Sequence, residues 1–223
     1  MNINRIFSRW VITFVSALTV VACQSSITGP SETAALDLPV ATEVLEPIEI
    51  EEVNDMPQSN DQIFVEIPER SGPRTETSGS VPHVQIGVEP VEAVNEELYR
   101  LAFALPGVEN RATIVSLPGA RGMWLADEVA IVHPEVIVSG REFAHIHPDG
   151  SLHVSLPFER ALEAVEKGWA ERHPWADERD GWDGLVMLFT PQSMEELDVT
   201  IQLIIDSYNH VTGLDIQISD LNP

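Results

Sequence analysis

Apolar residues recur at helical spacing in three stretches of the chain, and each stretch carries its own start or stop signal. Residues 90–107 place apolar side chains on one stripe and end at a Pro-Gly pair. Residues 157–168 begin at a proline, and Gly168 fits the left-handed position that follows a helix. The third stretch begins with Ser193 and Glu196 in a capping-box pattern and ends at Gly213. These patterns predict three α-helices.

Shorter apolar runs between these helices have the character of strands. Residues 112–127 predict two short strands around a turn at Pro118-Gly119, and residues 135–140 predict a further strand or strand-like edge. Residues 185–191 form a continuous apolar run, which is typical of a buried strand. Helices at both ends of the domain with hairpins between them predict an α+β fold, in which helices flank a mainly antiparallel sheet.

Two alternating runs flank Pro148-Asp149-Gly150, which fits a type I turn followed by a left-handed glycine. This three-residue loop pairs His145 with His153. One strand face then carries Ala144, Ile146, Leu152, Val154 and Leu156, and the other carries Phe143, His145, His147, Ser151, His153 and Ser155. A two-residue loop would send His153 to the core face. We favour the three-residue loop because its core face contains apolar residues alone.

Three imidazoles on one face of a hairpin are close enough to act together. His145, His147 and His153 could bind Zn, Cu or Fe through neutral ring nitrogens. Without a metal, they could act as acid and base near neutral pH. They could also belong to a half-exposed polar sheet face. The spacing does not choose, so the expected cofactor is either none or a transition metal bound by these histidines.

A second group of polar residues follows the predicted helix that ends at Gly168. Trp169, Glu171, Arg172 and His173 lie together there, before a proline. We interpret them as a loop that folds over the histidine face. His173 would be a fourth imidazole, and Glu171 or Arg172 a charged partner. The alternative is a structural loop with a buried tryptophan and a surface ion pair.

The composition narrows the classes of partner. The chain has 223 residues and a formal net charge of −24. An acidic surface repels the phosphates of nucleic acids, so we expect no nucleic-acid partner. It also disfavours electrostatic binding to anionic lipid headgroups.

The first residues resemble a bacterial lipoprotein signal. Arg5 and Arg9 precede an apolar run, and residues 20–23 read Val-Val-Ala-Cys. We therefore expect residues 1–22 to be a signal peptide and Cys23 to carry the lipid that anchors the chain to a membrane. Gln24 after the cysteine favours the outer membrane, with the protein facing the periplasm. The alternative is an ordinary secretory signal with an incidental cysteine.

The next residues, 23–80, are acidic and contain proline, serine, threonine and glycine without a sustained period. We interpret this range as a disordered tether and residues 81–223 as the folded domain. Within the tether, residues 62–69 could form a short strand that docks on the domain.

An ordered set of motifs in residues 105–213 resembles the fungal luciferase domain family. The set comprises Arg-Glu-Phe-Ala-His-x-His, Leu-His, Gly-Trp-x-Glu-Arg-His-Pro and a Pro-x-x-x-Glu-Glu helix start. The fungal luciferases are membrane-tethered and add molecular oxygen to a hydroxylated styryl-pyrone without an added organic cofactor. By motif, the resemblance points to Arg141, Glu142, His145, His147, His153, Trp169, Glu171, Arg172, His173 and Pro174. This chain has a shorter turn between His147 and His153, and Ala170 replaces a glycine.

The first hypothesis is therefore a membrane-anchored, luciferase-like oxygenase that acts on a small aromatic or enolic compound. The catalytic residues would be His145, His147, His153, His173 and Glu171. The substrate would be bound by Phe143, Trp169, Arg172 and Arg141. The second hypothesis is a non-enzymatic envelope module that binds a small ligand or a protein. The third is a metal-dependent hydrolase, although the sequence contains neither G-x-S-x-G nor H-E-x-x-H.

Overall fold

The computed structural model describes residues 64–221, which form three α-helices and six strands. The helices are α1 (Glu92–Ala102), α2 (Phe158–Glu166) and α3 (Met194–Thr212), and short 3-10 turns lie at Pro134–Val136 and Ile218–Leu221. The strands are β1 (Val108–Ala112), β2 (Arg121–Leu125), β3 (Glu142–Ile146), β4 (Leu152–Ser155), β5 (Ala170–Arg172) and β6 (Leu185–Leu188). They build one antiparallel sheet of order β1-β2-β3-β4-β6-β5. The predicted α+β fold is confirmed.

The predicted signal peptide, Cys23 and the tether up to residue 63 lie outside the described residues. Among residues 64–221, none of the helices has the length and apolar character that crossing a membrane requires.

The three predicted helices are present, and their ends follow the local signals. The Ser193 hydroxyl accepts a hydrogen bond from the Glu196 N–H and caps α3. The Glu196 carboxylate does not complete a capping box; it accepts from the Gln192 N–H and pairs with Arg70 instead. Gly213 closes α3 with a φ of 71°, a left-handed conformation that a glycine adopts without steric cost.

The strand predictions were less accurate. The first strand of the β1–β2 pair is Val108–Ala112, earlier than expected, and its residues are half-buried or exposed because it lies at the sheet edge. Pro134–Val136 forms a 3-10 turn where a strand was predicted, since Pro134 starts a tight turn and cannot donate to a ladder. Residues 170–172, expected in a loop, form β5 at the opposite edge.

The register of the β3–β4 hairpin is the predicted one. His145 pairs with His153, and the His147 N–H donates to the Ser151 carbonyl over 2.7 Å. Gly150 ends the three-residue loop with a φ of 83°. The predicted core positions of both strands are fully buried in the main apolar cluster.

The helices α1 and α3 cover the apolar face of the sheet. Helix α3 contacts β4, and α1 packs against α3. The Ser207 hydroxyl of α3 donates to the Ser155 carbonyl of β4 over 2.8 Å, which fixes the helix on the strand. Helix α2 is joined to α3 by a buried ion pair between Arg160 and Asp206, at 2.7 Å.

Residues 64–91, which we call the N-terminal arm, pack on the domain. Ile67 is buried in the core, and the Pro68 carbonyl accepts a 2.6 Å hydrogen bond from the Trp169 indole. The Arg70 N–H donates to the Lys167 carbonyl over 2.8 Å. Residues 64–70 belong to no strand. The folded domain therefore begins upstream of residue 81, the predicted boundary.

Candidate functional site

A β-bulge in β3 decides which side chains join the histidines. Met123 of β2 pairs with Ala144, but the next residue, Trp124, pairs with Glu142, so Phe143 is the extra residue. Strict alternation would have put Phe143 on the histidine face. The bulge instead turns Phe143 into the core, where its ring meets Tyr208 of α3 at 5.8 Å. Glu142 takes the position beside His145.

Direct cross-strand pairing places one row of residues across the middle of the sheet. Gly122 pairs with His145, His145 with His153, His153 with Met187, and Met187 with Glu171. Residues directly opposite each other share a face. The row therefore joins the predicted hairpin histidines to the downstream Glu171 through a strand that contributes no titratable group to it.

A cavity of about 220 Å³ lies over this face, and we call it the histidine pocket. Five imidazoles line it: His83, His145, His147, His153 and His173. Its other walls are mostly apolar, from Val81, Pro82, Val115, Leu117, Val138, Trp175 and Leu185, with Ser116. All five histidines are buried. A small, mostly apolar pocket with converging polar groups has the character of a small-molecule site.

The ring nitrogens of the pocket form a continuous hydrogen-bond chain, Glu142–His145–His153–His83–Glu171. The Glu142 carboxylate lies 3.2 Å from His145 Nδ1, and His145 Nε2 lies 3.0 Å from His153 Nδ1. His153 Nε2 lies 3.2 Å from His83 Nδ1, and His83 Nε2 lies 3.4 Å from the Glu171 carboxylate. Each imidazole in the chain therefore has both nitrogens engaged.

The two remaining imidazoles are each fixed at Nδ1. His147 Nδ1 lies 2.9 Å from the Ser151 hydroxyl, which in turn donates to Asp149 over 2.7 Å. His173 Nδ1 accepts the Trp175 N–H over 3.0 Å, so the proton of the neutral ring is on Nε2. His147 and His173 thus present opposite functions at Nε2: His147 an acceptor nitrogen, His173 a donor.

Burial keeps most of these imidazoles neutral. It lowers the pKa of His147 and of His173 to about 4, with the nearby histidines adding to the effect. It also lowers the pKa of His153 well below the ordinary value. The pKa of His83 is lowered by burial as well, although its hydrogen bond to Glu171 opposes the shift.

The buried carboxylate of Glu142 stays ionised. Burial by itself would raise the pKa of Glu142, but hydrogen bonds from His145, the Thr113 hydroxyl and the Ile114 N–H outweigh it and lower the pKa. The Thr113 and Ile114 contacts are 2.5 and 2.9 Å long. Three donors therefore hold this carboxylate beside the histidine row.

Two residues predicted to line the substrate pocket lie elsewhere. Phe143 is in the core because of the bulge in β3. Trp169 is buried under the N-terminal arm, where its indole donates to Pro68 and the Arg70 guanidinium lies 5.8 Å from its ring. The aromatic wall of the pocket is provided by Trp175 instead.

The predicted charged residues also separate into two kinds. Arg141 donates to the Leu125, Ala126 and Val129 carbonyls and fixes the loop after β2. Arg172 pairs with Asp177 at 2.9 Å near the surface. Neither arginine lines the pocket. Glu171, by contrast, reaches the pocket through His83 and also accepts from the Thr77 hydroxyl at 2.6 Å.

Sequence reasoning missed His83, which contributes the central link between the hairpin and Glu171. The residue lies alone in the N-terminal arm, where no regular period marks its position. The structure fixes it through its neighbour Gln85, whose side chain bonds Thr190 at both ends. The family motif already contained Glu142, but alternation alone gave no reason to place it beside His145.

The fold and the site together define a class: an α+β domain in which an open antiparallel sheet presents a histidine-lined pocket on the face opposite its helices. Comparison with known proteins is consistent with this description. Residues 140–206 match the model of the Luciferase domain family. The matched range contains β3, β4, α2, β5, β6 and most of α3.

Named relatives extend the match. A protein named Luciferase from Armillaria mellea is 31% identical over 169 residues, which cover 66% of this chain and 62% of the relative. The Luciferase of Armillaria gallica gives the same figures, and that of Neonothopanus nambi is 33% identical over 87 residues. No solved structure matches the chain. The predicted resemblance to the luciferase domain family is therefore confirmed.

Proposed function

We propose that the histidine pocket is an oxygenase site for a small enolic or aromatic compound. The main support for this proposal is the pocket itself. Its cavity has a volume of about 220 Å³ and is lined by five buried imidazoles and by apolar walls. The family relationship supports oxygen chemistry because the relatives are named Luciferase. The matched part of the chain spans 62% of those first relatives, so the reaction is a proposal for this protein.

The proposed reaction adds dioxygen to the substrate carbon and needs no other oxidant. A basic group in the pocket accepts the enol proton, and the resulting enolate gives two electrons to dioxygen in forming a carbon–oxygen bond. The terminal oxygen of the adduct takes the proton back, so substrate and dioxygen together equal a hydroperoxide. In this proposal His173 Nε2–H donates to the negative oxygen, because Nδ1 of that ring accepts the Trp175 N–H.

Oxygen uptake by the full chain tests this proposal. A series of small enolic aromatics is screened with an oxygen electrode, and products are analysed by mass spectrometry for a gain of two oxygen atoms. His145→Ala is expected to lower turnover about 10²–10⁴-fold, the usual contribution of a positioned acid or base. His210→Ala is the matched control, because His210 lies on the far end of α3 and contacts His133.

Two other outcomes overturn the oxygenase, and a third concerns the role of His145 alone. Ligand binding without uptake, tolerant of His145→Ala, indicates a binding module. Incorporation of water and no uptake of oxygen indicates a hydrolase. An unfolded His145→Ala protein, seen by circular dichroism, leaves the milder variant His145→Gln to decide, and full activity in that variant contradicts a catalytic role for this residue.

We propose in addition that the domain is anchored to the outer membrane through a lipid on Cys23, which faces it toward the periplasm. The support is the arginine-led apolar run and the Val-Val-Ala-Cys sequence. Metabolic labelling with an alkyne fatty acid should mark the wild-type chain and not Cys23→Ser, and membrane fractionation should release the variant. Equal labelling of both chains would contradict the anchor.

A further inference from the structure

We infer that His145, His147 and His153 form a three-histidine binding site for a divalent transition-metal ion that is open toward the pocket. This inference deepens the proposed function, since the ion would lie in the same pocket. The sequence offered the three residues as one of several alternatives. The structure adds three arguments for a metal: the distances between the ring nitrogens, the number of protons available to the hydrogen-bond chain, and the hydrogen bonds made by the nitrogens that face away from the ion.

The geometry brings the three donor atoms together. One ring nitrogen from each histidine lies within 4.8 Å of the others. The closest pair is His145 Nε2 and His153 Nδ1 at 3.0 Å. The third donor is His147 Nε2, because the other nitrogen of that ring contacts Ser151. All three rings are buried on rigid strands or beside the hairpin turn, so ligand binding needs little rearrangement.

The hydrogen-bond chain lacks one proton unless a cation is present. Its four links run from Glu142 to Glu171, and both ends are carboxylates that accept only. Three imidazoles with one proton each supply three protons. When these protons lie on the link to Glu142, the link to Glu171 and the link between His153 and His83, none is left for the link between His145 and His153. His145 Nε2 and His153 Nδ1 then face each other with one lone pair each. A cation between these nitrogens removes the conflict, and His147 Nε2 supplies a third lone pair there.

Each of the three ligands is backed by a path that ends at a carboxylate. His145 Nδ1 contacts Glu142 directly. His147 Nδ1 contacts Ser151, which donates to Asp149. Metal-binding histidines commonly donate their second N–H to such partners, which fixes the tautomer and strengthens the ligand.

The path behind His153 is longer. Its Nε2 bonds His83, and His83 bonds Glu171. Glu142 adds an electrostatic argument, because its side chain is fully buried and its contacts are with His145, Thr113 and the Ile114 N–H. A metal on His145 would give this buried carboxylate a nearby positive charge.

A second group of histidines, His83, His153 and His173, is equally compact. It fits a metal less well because the Trp175 N–H occupies His173 Nδ1, which puts the ring proton on Nε2. His83 is also needed to bond Glu171. We therefore assign the metal to the group that contains His147 and not to the one that contains His173.

The donor set selects the class of ion. Three neutral imidazoles suit Zn²⁺, Co²⁺, Ni²⁺ or Cu²⁺, whereas Mg²⁺ and Ca²⁺ prefer oxygen ligands. Three protein ligands leave a coordination position for water or substrate, as in catalytic zinc sites. A metal at this point would also lower the pKa of a bound enol or water.

The test uses the full chain, produced without a polyhistidine tag. Metal content is measured after purification, and the metal-free protein is then titrated with Co²⁺ and Zn²⁺ without any substrate. We expect one ion per chain and a visible Co²⁺ spectrum of a four- or five-coordinate nitrogen site. No stoichiometric binding by folded protein would overturn the inference.

Matched variants locate the ion. His147→Ala should weaken Zn²⁺ binding by more than about 100-fold, and Glu142→Gln by about 10–100-fold, the usual effect of removing an outer partner. His173→Ala and His210→Ala should bind as the wild type does. Loss in His173→Ala with retention in His147→Ala would overturn the assignment in favour of the other group. A Co²⁺ spectrum in each variant separates a lost ligand from a lost fold.

The metal and the oxygenase can fail separately. Metal binding without oxygen uptake would support this inference and contradict the proposed function. Oxygen uptake by metal-free protein that takes up no ion would support the proposed function and contradict this inference. A proton would then lie between His145 and His153.

Discussion

The two faces of the β3–β4 hairpin are built from alternate residues of the same strands, yet they do different things. The core face carries Ile146, Leu152 and Val154, which are fully buried against the helices. The histidine face carries imidazoles that are nearly as buried but line a cavity. On the first face, burial removes apolar surface from water and stabilises the fold. On the second, burial lowers pKa values and prepares neutral nitrogens.

Equal burial therefore does not mean equal contribution to stability. Leucine side chains on the core face are close-packed against their neighbours and leave no space for a ligand. Imidazoles on the histidine face border a space that is open to a ligand. Substitutions on the two faces should accordingly separate the free energy of unfolding from the function of the pocket.

The largest effect is expected from the core face. Leu152→Ala should lower the free energy of unfolding by about 2–5 kcal/mol, because it removes buried apolar volume and leaves a cavity. Urea denaturation followed by circular dichroism measures this loss. Leu162→Ala is the matched control, since Leu162 on α2 is exposed. A loss no greater than that of the control would contradict the assignment of Leu152 to the core.

The next prediction concerns the small space between Gly122, Trp124 and Glu142. A Cβ at Gly122 would lie 2.6 Å from the Trp124 Nε1 atom and 3.0 Å from the Glu142 Cδ atom. Gly122→Ala should therefore cost about 1–3 kcal/mol through overpacking and weaken metal binding by displacing Glu142.

A second substitution provides the rescue for Gly122→Ala. Trp124→Phe removes the indole nitrogen, which makes no hydrogen bond, so the double variant should regain part of the lost stability. A double variant as unstable as the sum of its parts would exclude this clash as the cause.

A smaller effect on stability is expected from the histidine face. His147→Ala should cost about 1 kcal/mol, since the Ser151 hydroxyl keeps its bond to Asp149 and no buried group loses its last partner. The comparison with Leu152→Ala in the same urea series is direct, because both residues are buried in one hairpin. A loss of 3 kcal/mol or more would mean that this face is also part of the structural core.

The last prediction concerns the pH dependence of stability and a histidine outside the pocket. Burial and the nearby His133 lower the pKa of His210 to about 4, while Glu135 and Asp183 oppose the shift. The unfolded chain then binds more protons than the folded one between about pH 6.5 and 4, so stability present above pH 6.5 is lost as the pH falls. His210→Gln should show a smaller drop in the urea midpoint between pH 7 and 4.5. An unchanged drop would contradict this contribution.

The sequence predicted the parts of this protein that depend on local signals. Helix ends follow proline, serine and glycine positions, and the hairpin loop sets the register that places His145 opposite His153. It also predicted that His173 would join them. Each of these predictions relied on residues close in the chain or on a continuous family motif.

The errors came from features that depend on distant contacts. The bulge in β3 exchanged Phe143 for Glu142 on the histidine face, and alternation cannot show where an extra residue is inserted. Trp169 was expected in the pocket because of its motif, but the N-terminal arm covers it. The arm itself was assigned to a tether, since its composition resembles a disordered segment.

The sequence by itself determined the α+β class, the three helices and the shared face of three histidines, because periodicity and turn chemistry act over a few residues. Only the tertiary structure decided that His83 completes the hydrogen-bond chain to Glu171. It also decided that His147 and His173 are held at Nδ1 and present Nε2. Those properties arise from side chains separated by many residues, and packing alone brings them within hydrogen-bonding distance.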